Sequence, residues 1–76
     1  MIHIVLTEET DSQSEFKSVL AGDSDTPYQL LSHYNIDPKT KHVYMNGRLL
    51  SNQAMEKPFS EITKSKMLFI AVRYKT

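Results

Sequence analysis

Apolar and polar residues alternate from the start of the chain. Ile2, Ile4 and Leu6 stand between His3, Val5 and Thr7, a period-two pattern that predicts a β-strand over Met1 to Thr7 with one strongly apolar face. The polar run from Glu8 to Ser14 predicts a loop or a wide hairpin turn. Phe16, Ser18 and Leu20 then alternate with Glu15, Lys17 and Val19, which predicts a second strand antiparallel to the first. Gly22 and Asp23 end it.

The period lengthens at Thr26-Pro27-Tyr28-Gln29. A hydroxyl residue, a proline one position on and a glutamine three positions on form the signature of a helix start. Asp25 sets negative charge beside that positive terminus, and Tyr28, Leu30, Leu31 and Tyr34 supply an apolar stripe at helical spacing. Asn35 accepts the left-handed backbone that closes a helix, Ile36 offers the apolar contact beyond it, and Pro38 forbids continuation. The predicted helix, Pro27 to Tyr34, is about two turns long.

Residues His42 to Met45 predict a strand, Asn46-Gly47 a two-residue hairpin turn, and Arg48, Leu49 and Leu50 a short returning strand. From Ser51 to Glu61 the pattern is irregular. Pro58 excludes a regular central strand there, while Phe59 and Ile62 suit a short helical turn. Met67 to Tyr74 is the most β-prone stretch, with Leu68, Ile70 and Val72 on one side and Met67, Phe69, Ala71 and Arg73 on the other.

The order of elements is strand, strand, helix, strand, short strand, long strand. It predicts one α+β domain over residues 1–76, with a mixed sheet of four to five strands wrapping one short helix. With this order the chain resembles the β-grasp superfamily. The segment Val43-Tyr44-Met45-Asn46-Gly47-Arg48-Leu49-Leu50 is similar to the strand, glycine turn and strand of ubiquitin, and Pro58-Phe59-Ser60-Glu61-Ile62 to the residues that pin ubiquitin's long loop. Thr26 to Leu31 and the Asn46-Gly47 turn look equally like the sulfur-carrier proteins of thiamin and molybdopterin synthesis. The resemblance implies first and last strands lying parallel at the centre of the sheet. It also sets a contrast. Carriers and modifiers end in Gly-Gly, whose carboxylate is adenylated, whereas this sequence ends Arg73-Tyr74-Lys75-Thr76 and has only Gly22 and Gly47. Such activation is not expected, and a carrier reading survives only in degenerate form.

Composition narrows the chemistry further. The sequence has 76 residues and no cysteine, so a disulfide framework, a zinc ribbon and a thiol nucleophile are excluded. Its first residues form neither a signal peptide nor a membrane span, and a soluble, cytoplasmic protein without membrane attachment is expected. His3, His33 and His42 have no metal-ligand spacing, there is no nucleophile elbow, and two isolated glycines make no phosphate-cradling loop. A non-enzymatic protein without metal or cofactor follows as the expectation. Formal net charge is zero, but unevenly spread: residues 1–38 carry seven acids against Lys17, and residues 39–76 carry eight bases against Glu56 and Glu61. Two halves of −6 and +6 give an acidic and a basic side unless their strands interleave. A monomer or a weakly self-associating chain is expected.

The candidate site is the face of the sheet turned away from the helix. With Val43, Met45, Leu68, Ile70 and Val72 needed beneath the helix, alternation leaves His42, Tyr44, Phe69, Ala71 and Arg73 outward. These five together with Arg48 form the candidate partner-binding set, and the implied partner is another protein. The resemblance points to the same place, since ubiquitin's main apolar recognition patch lies on these strands. The alternative is RNA, with Lys41, Arg48, Arg73 and Lys75 on phosphates and Tyr44 and Phe69 stacked on bases.

Overall fold

In the computed structural model, which describes residues 1–9 and 14–75, local chemistry sets the frame. Thr26 Oγ1 accepts a hydrogen bond from the Gln29 N–H at 3.1 Å, and Gln29 Oε1 accepts one from the Thr26 N–H at 2.8 Å. This reciprocal cap starts helix α1 (Pro27–His33), with Pro27 at its first position. Asn35, at φ 59°, closes it. The Ile36 N–H donates to Leu31 O and the Asn35 N–H to Ser32 O, the paired bonds that satisfy the last carbonyls of a helix. Tyr34 serves as the C-cap, so the helix stops one residue before the predicted end.

Strand β1 (Ile2–Glu9) pairs antiparallel with β2 (Ser14–Ala21), and β3 (Lys41–Met45) with β4 (Arg48–Leu49). The chain finishes in β5 (Met67–Tyr74), parallel to β1 and antiparallel to β3. The five strands run β2-β1-β5-β3-β4. First and last strands therefore meet at the centre of a mixed sheet, as the β-grasp resemblance implies. Asn46 (φ 51°) and Gly47 (φ 86°) both take positive φ, the backbone a tight two-residue hairpin demands.

Two expectations need correction. Glu8, Glu9 and Ser14 belong to strands and not to a loop, since Glu8 pairs with Glu15 and Glu9 with Ser14. The acidic end of β1 is tolerated because Glu8 Oε2 meets Lys41 Nζ at 2.8 Å, with both side chains largely buried. The rest of the expected turn, Thr10 to Gln13, lies outside the described residues. The segment Ser51 to Glu61 is also more regular than its pattern. Besides the expected turn, α3 (Phe59–Ile62), it forms α2 (Asn52–Met55), started by Ser51 Oγ accepting from the Ala54 N–H at 3.1 Å.

The core lies between α1 and one face of the sheet. Ile2, Ile4 and Leu6 of β1, Val43 of β3 and Leu68, Ile70 and Val72 of β5 are buried there with Leu30, Leu31, Ile36, Met55 and Phe59. Phe59, fully buried, is set in place by its own N–H donating to Asp25 O at 2.8 Å and the Ser60 N–H donating to Asp23 O at 3.1 Å. Those bonds tie α3 to the segment that leads into α1.

Candidate functional site

Because side chains alternate across a strand, the register that buries Ile4, Leu6, Ile70 and Val43 turns their neighbours to the opposite face. Following the pairings outward, Phe16 stands beside Thr7, Thr7 beside Ala71, Ala71 beside Tyr44 and Tyr44 beside Leu49. One row thus crosses all five strands with one residue from each. A second row runs Ser18, Val5, Phe69, and a third Leu20, His3, Met67. Phe16, Leu20, Leu49, Met67 and Phe69 are each more than half exposed. Among the described residues no helix covers this face.

Five of the six candidate residues share it. His42 faces Arg73 and Tyr44 faces Ala71 across the β3–β5 ladder. The His42 and Tyr44 rings lie 6.3 Å apart at 58°, and Phe69 sits in the central strand. Its backbone is clamped by the hairpin turn: the Asn46 N–H donates to Phe69 O at 2.8 Å, and the Phe69 N–H donates to Asn46 Oδ1 at 2.9 Å. The turn that the sequence requires for chain reversal thereby also holds the middle of the exposed face. Arg48 stands apart. It is exposed, but its register partner is Met45, opposite buried Ile70, so it belongs to the side that carries the helix.

The basic residues proposed for phosphate contact are dispersed in the same way. Lys41 shares the parity of buried Val43, bonds Glu8 and lies 4.7 Å from the centre of the Tyr74 ring. Lys75 Nζ donates to Lys39 O at 3.1 Å. Of the four cations named, strand register turns Arg73 alone to the open face.

Sequence reasoning left Phe16, Leu20, Leu49 and Met67 out of the site. Met67 and Phe69 have the same parity on β5, which was a usable signal. In β2 the larger apolar pair, Phe16 and Leu20, points out while Val19 and Ala21 point in, and alternation alone cannot distinguish the two faces of such a strand.

Among the described residues no group of three His, Asp or Glu side chains is placed to hold a metal ion. No helix among them is long and apolar enough to cross a membrane.

No protein-family model matches the sequence, and no curated protein matches it. Solved structures do match the fold. A ubiquitin-like protein from the hyperthermophilic archaeon Caldiarchaeum subterraneum superimposes with a TM-score of 0.63 at 10% identity, over 99% of this chain and 97% of that one. The ubiquitin-like domain of an Arabidopsis thaliana protein, solved by solution NMR, gives 0.62 at 19% identity, over 100% of this chain and 81% of its own. A second structure of that Arabidopsis protein gives 0.65 at 20% identity, over 99% and 87%. The chain has the ubiquitin-like β-grasp fold.

Proposed function

We propose that this small ubiquitin-like module is a non-enzymatic protein-binding protein, and that it recognises its partner with the open face of the sheet. The observation that carries the reading is the row Phe16, Thr7, Ala71, Tyr44, Leu49, flanked by Phe69, Met67 and Leu20. A small domain has few large apolar residues to spare from its core, yet five of them are exposed together here. Contiguous apolar surface of that kind marks an interaction site. Tyr44 and Arg73 are residue types that often anchor interfaces, and Phe69 is of a type enriched in them. A protein fits this surface better than RNA does, because the face carries aromatic and aliphatic groups with one arginine and lacks the basic groove that follows a phosphate chain.

The test places a photo-reactive phenylalanine at Phe69 and, separately, at exposed Ser32 on the helix, in cells of the source organism. A protein captured from position 69, absent from position 32, lost when Tyr44→Ala is added and insensitive to nuclease is the expected result. Equal capture from both positions, or capture of RNA, refutes the proposal.

A further inference from the structure

The sheet has two outer edges, and they are built differently. At one end β4 has only two residues, a length that offers little to an incoming strand. At the other end β2 runs for eight residues, Ser14–Ala21, with no strand outside it among the described residues. The devices that normally protect such an edge are proline, a bulge or charge. Over Phe16 to Leu20 the register with β1 is unbroken and there is no proline, and the single charge, Lys17, has its Nζ drawn over the Tyr34 ring of α1, 4.8 Å from its centre, away from the edge.

The direction of the free backbone groups follows from one hydrogen bond. The His3 N–H donates to Lys66 O at 2.8 Å, so His3 turns its backbone towards β5. Along a strand successive residues bond alternately to the two neighbours. Hence Val5 and Thr7 also bond β5, while Ile4 and Leu6 bond β2 through their partners Val19 and Lys17. Phe16, Ser18 and Leu20 must then direct their N–H and C=O groups to the empty side. Their side chains lie on the open face, where Phe16 and Leu20 are exposed.

From this juxtaposition we propose that β2 is a self-association edge: two copies pair antiparallel through Phe16, Ser18 and Leu20 about a two-fold axis at Ser18, giving one continuous ten-stranded sheet. The register is chosen by the side chains. Centred on Ser18, Phe16 of each copy packs beside Leu20 of the other, and all three outward-directed residues find backbone partners. Centred on Lys17, two lysines would oppose one another and Phe16 would face serine. Centred on Val19, Leu20 would face serine and Phe16 would face Gly22. Charge does not oppose the pairing, since Glu15 and Lys17 are the only charged residues of β2 and cancel. A groove of about 600 Å3 between β2 and α1, lined by Val19, Leu30 and Tyr34 among others, leaves the edge open on the helix side as well. The inference concerns the backbone edge, shares Phe16 and Leu20 with the open face, and does not rest on the function proposed above.

Sedimentation and amide hydrogen exchange on the purified chain, from dilute solution to about 1 mM, test it. The expected mass rises from 8.8 kDa towards twice that value. Exchange at Phe16, Ser18 and Leu20 should slow on the order of tenfold over that range, while Lys17 and Val19, already bonded to β1, do not change. Ser18→Pro removes an outward N–H that no strand of the monomer uses and should leave a folded monomer. Phe16→Lys, which replaces the ring packed beside Leu20 of the other copy with an edge lysine, should do the same without altering the backbone. A chain that stays at 8.8 kDa throughout overturns the proposal, as does a dimer whose new protection lies on β3 and β5. A folded Ser18→Pro or Phe16→Lys variant that still dimerises overturns it too. So would edge amides protected only when an extended hydrophobic peptide is added, an outcome that assigns the edge to a foreign strand.

Discussion

Phe69 and Ile70 are adjacent on the central strand, and truncating each to alanine separates binding surface from core. Ile70 is 1% exposed and Phe69 59% exposed. Ile70→Ala deletes buried carbon and leaves a cavity beneath α1, a change that costs about 2–5 kcal/mol. At Phe69 about two-fifths of the residue is covered. A phenylalanine buries roughly 150–250 Å2 when fully enclosed, so some 60–100 Å2 is covered here, part of it backbone and Cβ that alanine retains. At about 25 cal/mol per Å2 the loss is on the order of 1–1.5 kcal/mol, including the cross-strand contact with Val5. For a chain of this size 1 kcal/mol moves the melting temperature by about 4–8 °C. Thermal unfolding followed by circular dichroism should therefore show a fall below about 12 °C for Phe69→Ala and a larger loss of free energy, about 2–5 kcal/mol, for Ile70→Ala, and cross-linking to the partner should be lost only for Phe69→Ala. If Phe69→Ala unfolds the domain as severely as Ile70→Ala, the facing of β5 is wrong and the proposed surface does not exist.

Three further outcomes are expected. Phe59→Ala should cost about 3–5 kcal/mol in a thermal melt, a large part of the roughly 4–11 kcal/mol total stability of a domain this size, because the ring is fully buried. Gly47→Ala should cost about 1–2 kcal/mol in denaturant titration through left-handed backbone alone, since the added Cβ would meet nothing within 4 Å at φ 86°; a neutral result would refute the turn assignment. Lys41→Ala should cost about 2 kcal/mol by the same titration, between the values for exposed and buried ion pairs, because Glu8 is left without the partner at 2.8 Å in a largely buried position, and Glu8→Gln in that background should restore part of the loss.

The helix and the β3–β4 hairpin could be read from the chain because their signals are local. Thr26-Pro27-Tyr28-Gln29 contains both halves of its own cap, Asn35 and Ile36 contain the closing bonds, and Asn46-Gly47 admits one kind of turn. Helix α2 was missed although Ser51 has the oxygen that caps it. Four residues hold no periodic stripe, and so short a helix depends on Met55 being buried against the rest of the fold. The outward set of β5 was correctly divided by period two, because Leu68, Ile70 and Val72 outweigh their neighbours in branching and regularity. In β2 the same rule fails. Its inward residues, Val19 and Ala21, are smaller than its outward ones, because the β2 end of the sheet sits beside a groove and not beneath the thick of the core. Which face of an edge strand is buried is decided by what packs on it, and that information is not in the strand.

The same topology decides what becomes of the charge asymmetry. Pairing β1 with β5 places the first strand against the last, so β2 and β1, from the first half of the chain, lie on one side of that seam and β5, β3 and β4, from the second half, on the other. The two halves do not interleave. Within the strands this leaves Glu8, Glu9 and Glu15 against Lys17 on the β1–β2 side and Lys41, Arg48 and Arg73 on the other. Two side-chain ion pairs, Glu8 with Lys41 and Asp23 with Lys66, join an acid of the first half to a base of the second. The Glu8 pair is largely buried and fixes the halves in register, whereas the Asp23 pair is exposed and contributes little. The apolar rows through Thr7, Ala71 and Phe69 cross the seam between these two sets of strands. In the proposed mode of binding, the rows supply the contact area, and the acidic and basic sides of the seam determine which way round a partner lies on it.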